Sequence, residues 1–352
     1  MEKTRAIIYA LLAAAFYAVN VPFSKDLLNH VGPVSMAAFL YLGAGIGIGV
    51  LSIARKKEKS GKLDRKDLPY VIGMVLLDIA APVFLMMGIK YGTSSNASLL
   101  GNFEIAATTL IAFCLFKEIV TKRLWAAIAL ITLSSALLSF EGTESVTFSY
   151  GSLFVLLATV CWGLENNCTR SLSSKDTYEI VTVKGIFSGL GALAIALLKH
   201  EEMPSLQHII PAFLLGFVAY GLSIFLYVKA QNTLGAAKTS AYYAVAPFIG
   251  AFLSFMFLHE QVTGTFLISL AVMIAGTALV VVDTLLLSHA HQHLHTFIHT
   301  HAGSTHAHTV MHSHRHSHYG SEGVHSHRHA SPELERELAN HGNSPAVKRD
   351  RL

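Results

Sequence analysis

Long apolar segments recur along most of this chain. A helix needs about 20 mostly apolar residues to cross the hydrocarbon core of a bilayer. Such segments lie at roughly 6–24, 33–54, 68–89, 93–116, 122–140, 150–169, 178–198, 209–229, 234–258 and 264–287. They are too long for membrane strands and their connections are short, so the sequence predicts an all-α membrane protein with ten transmembrane helices.

The composition agrees with a chain that lies in a lipid bilayer. Hydrophobic residues make up 52% of the 352 residues, charged residues only 14%, and the mean hydropathy is +0.49. The formal net charge of +4 is small and does not indicate nucleic-acid binding. Cys114, Cys161 and Cys168 lack the spacing of a zinc finger or a disulfide framework, so they are interpreted as small apolar residues.

The distribution of Lys and Arg predicts the orientation in the membrane. The connection at 55–67, RKKEKSGKLDRKD, is strongly basic and is therefore expected in the cytoplasm. The connections at 141–149 and 259–263 contain no basic residue and are expected outside. This places both termini in the cytoplasm and the chain in the cell (inner) membrane. The apolar N-terminus could also be a signal peptide, but a counterpart later in the chain favours a retained first span.

The sequence repeats itself at a separation of about 142 residues. The matching pieces are KEIVT at 117–121 with HEQVT at 259–263, Gly43 and Gly47 with Gly185 and Gly189, and, at a shift of 145, FYAVNVPFSK at 16–25 with CWGLENNCTR at 161–170. Five spans per copy make the second copy enter the membrane inverted, as in many secondary transporters. The prediction is two inverted five-helix repeats, at 1–145 and 146–288, followed by a cytoplasmic tail at 289–352.

These pieces resemble the EamA-type branch of the drug/metabolite transporter superfamily over about residues 1–287. The most specific runs are LGAAKTSAYYAVAPFIGAFLSFMFLHEQVTGTFLISLAVMIAGTAL at 234–279 and GIKYGTSSNASLL at 88–100. Pro247 is kept, whereas Ile105 stands at the equivalent first-half position, where the family usually has a proline. The resemblance implies a carrier of small metabolites, often amino acids or their derivatives, that commonly works outward and uses an ion gradient.

Ionisable residues inside the predicted spans are candidates for substrate binding or coupling, since each costs about 2.5–3.5 kcal/mol to insert. Glu104, close to Asn102, could take up a proton near neutral pH or bind a substrate ammonium group. A neutral acid bonded to another helix is the structural alternative. Asp78, four residues before Pro82, fits either a cavity-facing role or a helix–helix hydrogen bond.

Further candidates lie in the first, sixth, seventh and ninth spans. Glu165 and Asn166 follow Trp162, and Asn20 lies in the matching first-span segment, so a cluster for a polar ligand is predicted. Lys184 could neutralise Glu165 or a substrate carboxylate, or reach the interface instead. Tyr243 completes the candidate set. Spans one, three, four, six, eight and nine are expected to line the solute site.

Small residues and one proline are candidates for helix packing and gating. The pairs Gly43 and Gly47, and Gly185 and Gly189, allow two helix backbones to approach closely. Packing is the simplest interpretation, and in a carrier the same faces would also slide or rock. Pro247 predicts a helix break or an ordinary kink.

The tail at 289–352 holds 16 of the 20 histidines. Because alternate residues share one side of an extended strand, neighbouring imidazoles could bind zinc, nickel, cobalt or copper. The candidate ligands are His289, His291, His293, His295, His312, His314, His316, His318, His325, His327 and His329. The tail is otherwise polar and repetitive and is predicted to be mostly disordered. A regulatory response to metal, a response to acidity and incidental metal binding remain open.

The leading hypothesis is a secondary transporter of a small organic metabolite that works by alternating access. Protons are the candidate coupling ion, and a monomer or a homodimer is expected in the bilayer. A divalent-metal transporter and a metal-responsive membrane sensor are the alternatives. No nucleophile–base pair or phosphate loop is visible, so the sequence predicts neither an enzyme, nor a required cofactor, nor a nucleic-acid partner.

Overall fold

The computed structural model describes residues 2–53, 61–116, 120–141, 147–172, 175–234, 236–285, 287–301 and 304–318, with side chains within 2–283. The helices are α1 (Glu2–Ala18), α2 (Asn20–Leu27), α3 (Pro33–Ile53), α4 (Leu68–Tyr91), α5 (Ser94–Leu100), α6 (Phe103–Phe116), α7 (Lys122–Leu138), α8 (Tyr150–Leu172), α9 (Thr177–Leu198), α10 (Leu206–Gly216), α11 (Ser223–Leu234), α12 (Ala236–Tyr243), α13 (Ala246–Leu258) and α14 (Gly264–Leu285). A π-helical segment, Phe217–Leu222, joins α10 to α11. The strands β1 (Phe140–Glu141) and β2 (Thr147–Phe148) form one antiparallel pair, and β3 (Leu287–His301) and β4 (Ser304–His318) form another.

Within the described residues, seven helical segments are long and apolar enough to cross a membrane. They are Glu2–Leu27, Pro33–Ile53, Leu68–Tyr91, Thr177–Leu198, Leu206–Gln231, Ala241–Leu258 and Gly264–Asp283. The other three predicted spans are helical too, but they are interrupted, short or more polar. A turn separates α5 from α6, α7 has 17 residues, and α8 contains the polar run Glu165–Asn167. The described residues up to Asp283 therefore form a helical integral membrane unit.

Three of these helices are interrupted within their length. The interruptions fall at Val19, at 101–102 and at 244–245, and the last two lie within one residue of each other at the repeat shift of 142. Pro22 has no N–H, so the carbonyl of Ala18 loses its helical donor, and Pro247 has the same effect on Tyr243. Proline therefore explains two of the interruptions, whereas the structure gives no comparable cause at 101–102.

The three interruptions lie close together in space. A methyl group added at Gly101 would lie 3.7 Å from Cγ of Pro247. One added at Gly250 would lie 3.3 Å from the carbonyl oxygen of Ala18 and 3.0 Å from Oγ of Ser98. Irregular backbone inside a membrane protein is tolerated where it is surrounded by protein or lines a polar cavity. We therefore expect the region around Ser98 and Gly250 to be surrounded by protein or to line a polar cavity.

Helices from the two halves pack in pairs. α4 packs on α8, α1 on α11, α3 on α9 and α5 on α13. Gly45 meets Gly185 and Leu42 meets Gly189, so α3 and α9 run antiparallel. A methyl group at Gly189 would lie 2.8 Å from the backbone nitrogen of Leu42, which leaves no room for a side chain.

The glycines of α3 meet a different neighbour. Gly43 faces the backbone of Phe213 in α10, and Gly47 faces the ring of Phe217 at the start of the π-helical segment. Of the two predicted glycine pairs, the α9 pair therefore packs on α3, and the α3 pair packs on α10 and the segment that follows it.

Carboxylates cap two helices of the opposite half. Glu201 accepts hydrogen bonds from the backbone N–H groups of Val34 (3.2 Å) and Ser35 (2.8 Å) at the start of α3. Glu260 accepts bonds from Ser94 (2.6 Å) and Ser95 (2.8 Å) at the start of α5. A negative charge is favoured at a helix N-terminus, because the backbone N–H groups there have no helical partner.

Glu260 lies shortly before α14 in the chain but does not cap that helix. The start of α14 is capped by Thr263, whose Oγ1 accepts the N–H of Phe266 at 3.1 Å. Glu118, the first-half equivalent of Glu260, lies outside the described residues.

The histidine-rich tail departs from the predicted disorder over residues 287–318. The chain divides into the units Met1–Asp283 and Thr284–Leu352, and the second contains the antiparallel strands β3 and β4. The physical reason lies in the alternation of histidine with other residues, which has the period of two that a strand requires. His325, His327 and His329 lie outside the described residues.

Candidate functional site

Lys184 lies between two carboxylates in the interior of the membrane unit. Its Nζ is 3.0 Å from Oδ2 of Asp78 and 2.9 Å from Oε1 of Glu165. Tyr41 donates a hydrogen bond of 2.9 Å to Oδ1 of Asp78, and Thr169 donates one to Glu165. All three charged side chains are buried. The structure therefore places Lys184 in a buried polar network between α4 and α8–α9.

Glu104 and Asn166 form a second polar contact between the halves. Nδ2 of Asn166 donates to Oε1 of Glu104 at 2.7 Å and, more weakly, to Oγ1 of Thr108 at 3.4 Å. Glu104 lies in the first turn of α6, directly after the interruption at 101–102, where a carboxylate is favoured by the helix N-terminus. These side chains keep part of their surface accessible, whereas the Lys184 network does not.

Asn20 links the start of α2 to the second half. Its Nδ2 donates to the hydroxyl of Tyr220 at 3.1 Å, and its Oδ1 accepts from Ser24 at 3.0 Å. Asn20 and Ser24 are fully buried, so each polar atom needs such a partner. The predicted amide is therefore a fixed contact between α2 and the π-helical segment.

An aromatic cluster lies beside these polar groups. The ring of Tyr17 is 5.9 Å from Tyr220, 5.9 Å from Tyr243 and 6.5 Å from Trp162, centroid to centroid. Tyr41 adds a contact of 5.1 Å to Tyr220. Glu104 interacts electrostatically with Tyr17, Tyr220 and Tyr243. The cluster and the Glu104 carboxyl group therefore lie in the same region of the protein.

The sequence analysis named Trp162 and Tyr243 as candidates but did not single out Tyr41 or Tyr220. Their signal was weak, because tyrosine is common near membrane interfaces and the distance from the membrane centre is hard to judge from sequence. A hydroxyl deep in an apolar span needs a partner, and that requirement is the clue that could have found them.

Two buried polar side chains at the helix interruptions are without a hydrogen-bond partner in the described part of the chain. These are the Oδ1 and Nδ2 atoms of Asn102 and the hydroxyl of Ser98. Asn102 is only 1% exposed and Ser98 only 4%. A buried polar group left unpaired costs about 1–3 kcal/mol. Unpaired groups of this kind mark a place where a polar ligand or water would be stabilised.

The end of the unit that carries Lys25 is closed by direct contacts. Nζ of Lys25 donates hydrogen bonds of 2.6 Å to the carbonyls of both Ile89 and Gly92. The hydroxyls of Ser94 and Ser254 lie 2.8 Å apart, which joins α5 to α13. The segments α5 and α13 of the two interrupted helices are therefore in contact at this end.

The opposite end carries an ion-pair cluster in which Asp64 is exposed and Lys175 and Asp67 are partly buried. Nζ of Lys175 lies 2.7 Å from Oδ2 of Asp67 and 3.3 Å from Oδ2 of Asp64. The hydrogen bond from Lys175 is the main cause that lowers the pKa of Asp67, and it raises the pKa of Lys175 in turn. At this end α6 packs on α7 and α8, and α12 packs on α1 and α11.

Asp283, near the end of α14, accepts a hydrogen bond of 2.8 Å from Thr121 and lies outside these networks. Within residues whose side chains are described, no group of three or more His, Cys, Asp or Glu could hold a metal ion.

Comparison with known proteins places the chain among membrane transporters. It matches the profile described as "EamA-like transporter family" over residues 4–140 and 149–282. A Methanothermobacter thermautotrophicus protein described as an uncharacterized transporter is 25% identical over 297 residues, which cover 78% of this chain and 86% of the relative. Bacillus subtilis YyaM, described in the same way, is 23% identical over 290 residues, 78% of this chain and 95% of YyaM. One crystal structure superposes with a TM-score of 0.59 at 16% identity, over 79% of this chain and 96% of that one, and shows a similar fold.

Proposed function

Since the chain belongs to the EamA-like transporter family, we propose that this membrane transporter is a secondary active carrier that exports small metabolites bearing an amino group, amino acids or their derivatives above all. The observation that carries the proposal is a polar and aromatic centre between its two halves. We define this centre as the Lys184 network, the contact of Glu104 with Asn166, and the aromatic cluster around Tyr17. Its contacts of Lys184 with Asp78, of Asn166 with Glu104 and of Asn20 with Tyr220 each join a residue of 1–145 to a residue of 146–288. A solute bound at this position would contact both halves, so a movement of one half against the other would change its contacts.

The composition of the centre favours a substrate with an ammonium group. Tyr17, Trp162 and Tyr243 offer aromatic faces, which attract cations that lie within about 6 Å of a ring centroid. Glu104, a partly buried residue, supplies a carboxylate in the same region. Lys184 is already paired with two carboxylates, so it contributes less to a substrate carboxylate than the free donors of Asn102 do.

Alternating access follows from the two inverted repeats and from unequal packing at the two ends. The Lys25 end is closed through α5 and α13, whereas α6 and α12 pack on different neighbours toward the other end. With residues 55–67 in the cytoplasm, this arrangement corresponds to a carrier whose outer side is shut. Solute would reach Glu104 from the cytoplasm, which is the direction that export requires.

Protons are the coupling ion that fits the centre best. Burial favours the protonated, neutral form of a carboxyl group, whereas an adjacent ammonium group favours the carboxylate. Binding of an ammonium group and of a proton at Glu104 would therefore exclude each other. Inward movement of a proton would then drive outward movement of the substrate. Exclusive binding at Glu104 would thus suffice for antiport of protons and substrate, with no second titratable group required.

Transport by the purified protein in proteoliposomes tests the proposal. Counterflow of radiolabelled amino acids, compared with nucleosides and sugars, is expected only for amino-bearing solutes, and an imposed pH gradient is expected to drive their accumulation. Asp26→Asn removes an exposed carboxylate away from the centre and serves as the matched control for any loss caused by charge alone. Transport of neutral sugars in preference to amines would contradict the substrate class.

A further inference from the structure

All histidines of β3 and β4 belong to one face of the hairpin. The register pairs His289 with His316, His291 with His314 and His293 with His312. Successive residues of a strand alternate between faces, so the same face continues through every second residue. The histidine face consists of His289, His291, His293, His295, His299, His301, His306, His308, His312, His314, His316 and His318. The opposite face of these two strands has no histidine.

The register brings the two sets of histidines together. In β3 every histidine has an odd number and in β4 an even number, and the ladder pairs odd positions with even ones. A slip of one residue would transfer the whole set of one strand to the other face. Composition alone would therefore not create this face.

The spacing of the face suits an ion with nitrogen ligands. Directly opposed residues have Cβ atoms about 4.5–5.5 Å apart, and neighbours along one face are about 6.6 Å apart. His289, His291, His314 and His316 occupy four adjacent positions of this grid. Zinc is held by four ligands in a tetrahedron with Zn–N distances of about 2.0–2.1 Å, and four neighbouring imidazoles can converge to that distance.

We propose that the histidine face binds divalent transition-metal ions through imidazoles from both strands. Imidazole selects zinc, copper, nickel and cobalt over magnesium and calcium, which prefer oxygen. An isolated two-stranded hairpin is only marginally stable in water, so ligands shared between β3 and β4 would also stabilise the pairing of the strands. The proposal concerns the unit that begins at Thr284 and does not depend on which solute the membrane unit carries.

Cobalt binding to the full-length protein in detergent tests the proposal. A background variant lacks the tail histidines that lie outside the described strands. It replaces His325, His327, His329 and His341 with alanine. Its Co²⁺ complex should show the visible absorption of tetrahedral coordination, with a stoichiometry fixed by equilibrium dialysis.

A variant of identical composition separates the face from the histidine content. In β4 each histidine is exchanged with the residue before it, at 305–306, 307–308, 311–312, 313–314, 315–316 and 317–318. We expect the affinity for Co²⁺ to fall by about tenfold or more and the tetrahedral spectrum to be lost. Exchange of Ser313 with Arg315, which leaves every histidine in place, is the matched control and should bind normally.

Two results would overturn the proposal. One is unchanged Co²⁺ affinity and spectrum in the exchanged variant, and the other is failure of the background variant to bind Co²⁺. A milder pair keeps the test independent of gross misfolding: His291→Gln with His314→Gln removes opposed positions, and His291→Gln with His308→Gln removes distant ones. The opposed pair should show coupling between its two substitutions, and the distant pair should show additivity.

Discussion

Nζ of Lys184 lies 3.0 Å from Oδ2 of Asp78, and this contact joins α9 of the second half to α4 of the first. Glu165 approaches the same nitrogen to 2.9 Å, so one ammonium group faces two carboxylates. The three side chains are buried together, which makes each charge dependent on the other two. The predictions that follow begin with this network.

Lys184→Met should strongly destabilise the protein, because it leaves Asp78 and Glu165 as uncompensated buried carboxyl groups. Removal of one partner from a buried pair typically costs about 3–5 kcal/mol. Thermal unfolding in detergent should show the loss. A triple variant, Lys184→Met with Asp78→Asn and Glu165→Gln, should recover most of the stability. An unchanged midpoint for the single variant would show that the network does not hold the two halves together.

Glu104→Gln should leave the fold intact and remove proton coupling. The glutamine side chain still offers an oxygen to Asn166 at the position of the present 2.7 Å bond. Accumulation driven by a pH gradient should fall by about tenfold or more, since coupling free energies are about 1–3 kcal/mol. Counterflow at equal pH should continue with a higher KM, because the ammonium group of the substrate loses its carboxylate partner. Gradient-driven uptake equal to that of the unmodified protein and of Asp26→Asn would remove Glu104 from the coupling step.

Gly185→Ala should lower the thermal stability through a clash between α9 and α3. A methyl group there would lie 2.8 Å from the carbonyl oxygen of Tyr41 and closer still to Gly45. Overpacking of a tight interface costs about 1–3 kcal/mol. Gly264→Ala is the matched control, because nothing lies within 4 Å of a methyl group added there. Equal unfolding midpoints for the two variants would contradict the close approach of the helices.

Lys175→Met should loosen the connection at 61–67. The pKa values of Asp64 and Asp67 are lowered by their hydrogen bonds, and the pKa of Lys175 is raised. The ion pairs are therefore present above the usual carboxyl pKa and are lost only as the pH falls through the lowered values, or rises through the raised value of Lys175. A nitroxide attached at Arg65→Cys should report constant mobility from roughly pH 5 to 9.

In the Lys175→Met variant, the nitroxide at Arg65→Cys should be more mobile at every pH in that range. Lys66→Met removes an exposed cation nearby without removing the ion-pair partner and is the control. Mobility that did not respond to Lys175→Met would show that the connection is held by other contacts, such as the 3.2 Å bond from the N–H of Leu63 to Glu179.

Cysteine labelling should place Arg65 and His259 on opposite sides of the membrane. A membrane-impermeant maleimide added to whole cells should label His259→Cys and leave Arg65→Cys unlabelled until the cells are opened. The native cysteines are replaced by serine beforehand. Labelling of both positions from outside would contradict the proposed orientation of the repeats.

The sequence predicted the family and the helical membrane fold, and both are confirmed by the profile match. Apolar length and repeated motifs are local properties, so they can be recognised without a structure. Glu104, Glu165 and Lys184 were recognised in the same way, because a charge within an apolar span is rare.

The partners of those charges could not be predicted. The bond from Tyr41 to Asp78 depends on how α3 packs against α4, and the 3.1 Å bond from Asn20 to Tyr220 joins residues 200 positions apart. The interruption at 101–102 was also missed, since it contains no proline. The polar, repetitive composition of the tail predicts disorder, whereas its period of two fits the hairpin of β3 and β4.

The interruptions at 101–102 and 244–245 have a consequence for how such a molecule could move. A continuous helix tilts as one rigid rod, so a displacement at one membrane surface is transmitted to the other. A rod divided at its midpoint can flex there, and its two segments can take different inclinations. One mouth of the molecule can then widen while the segment beyond the bend keeps its place.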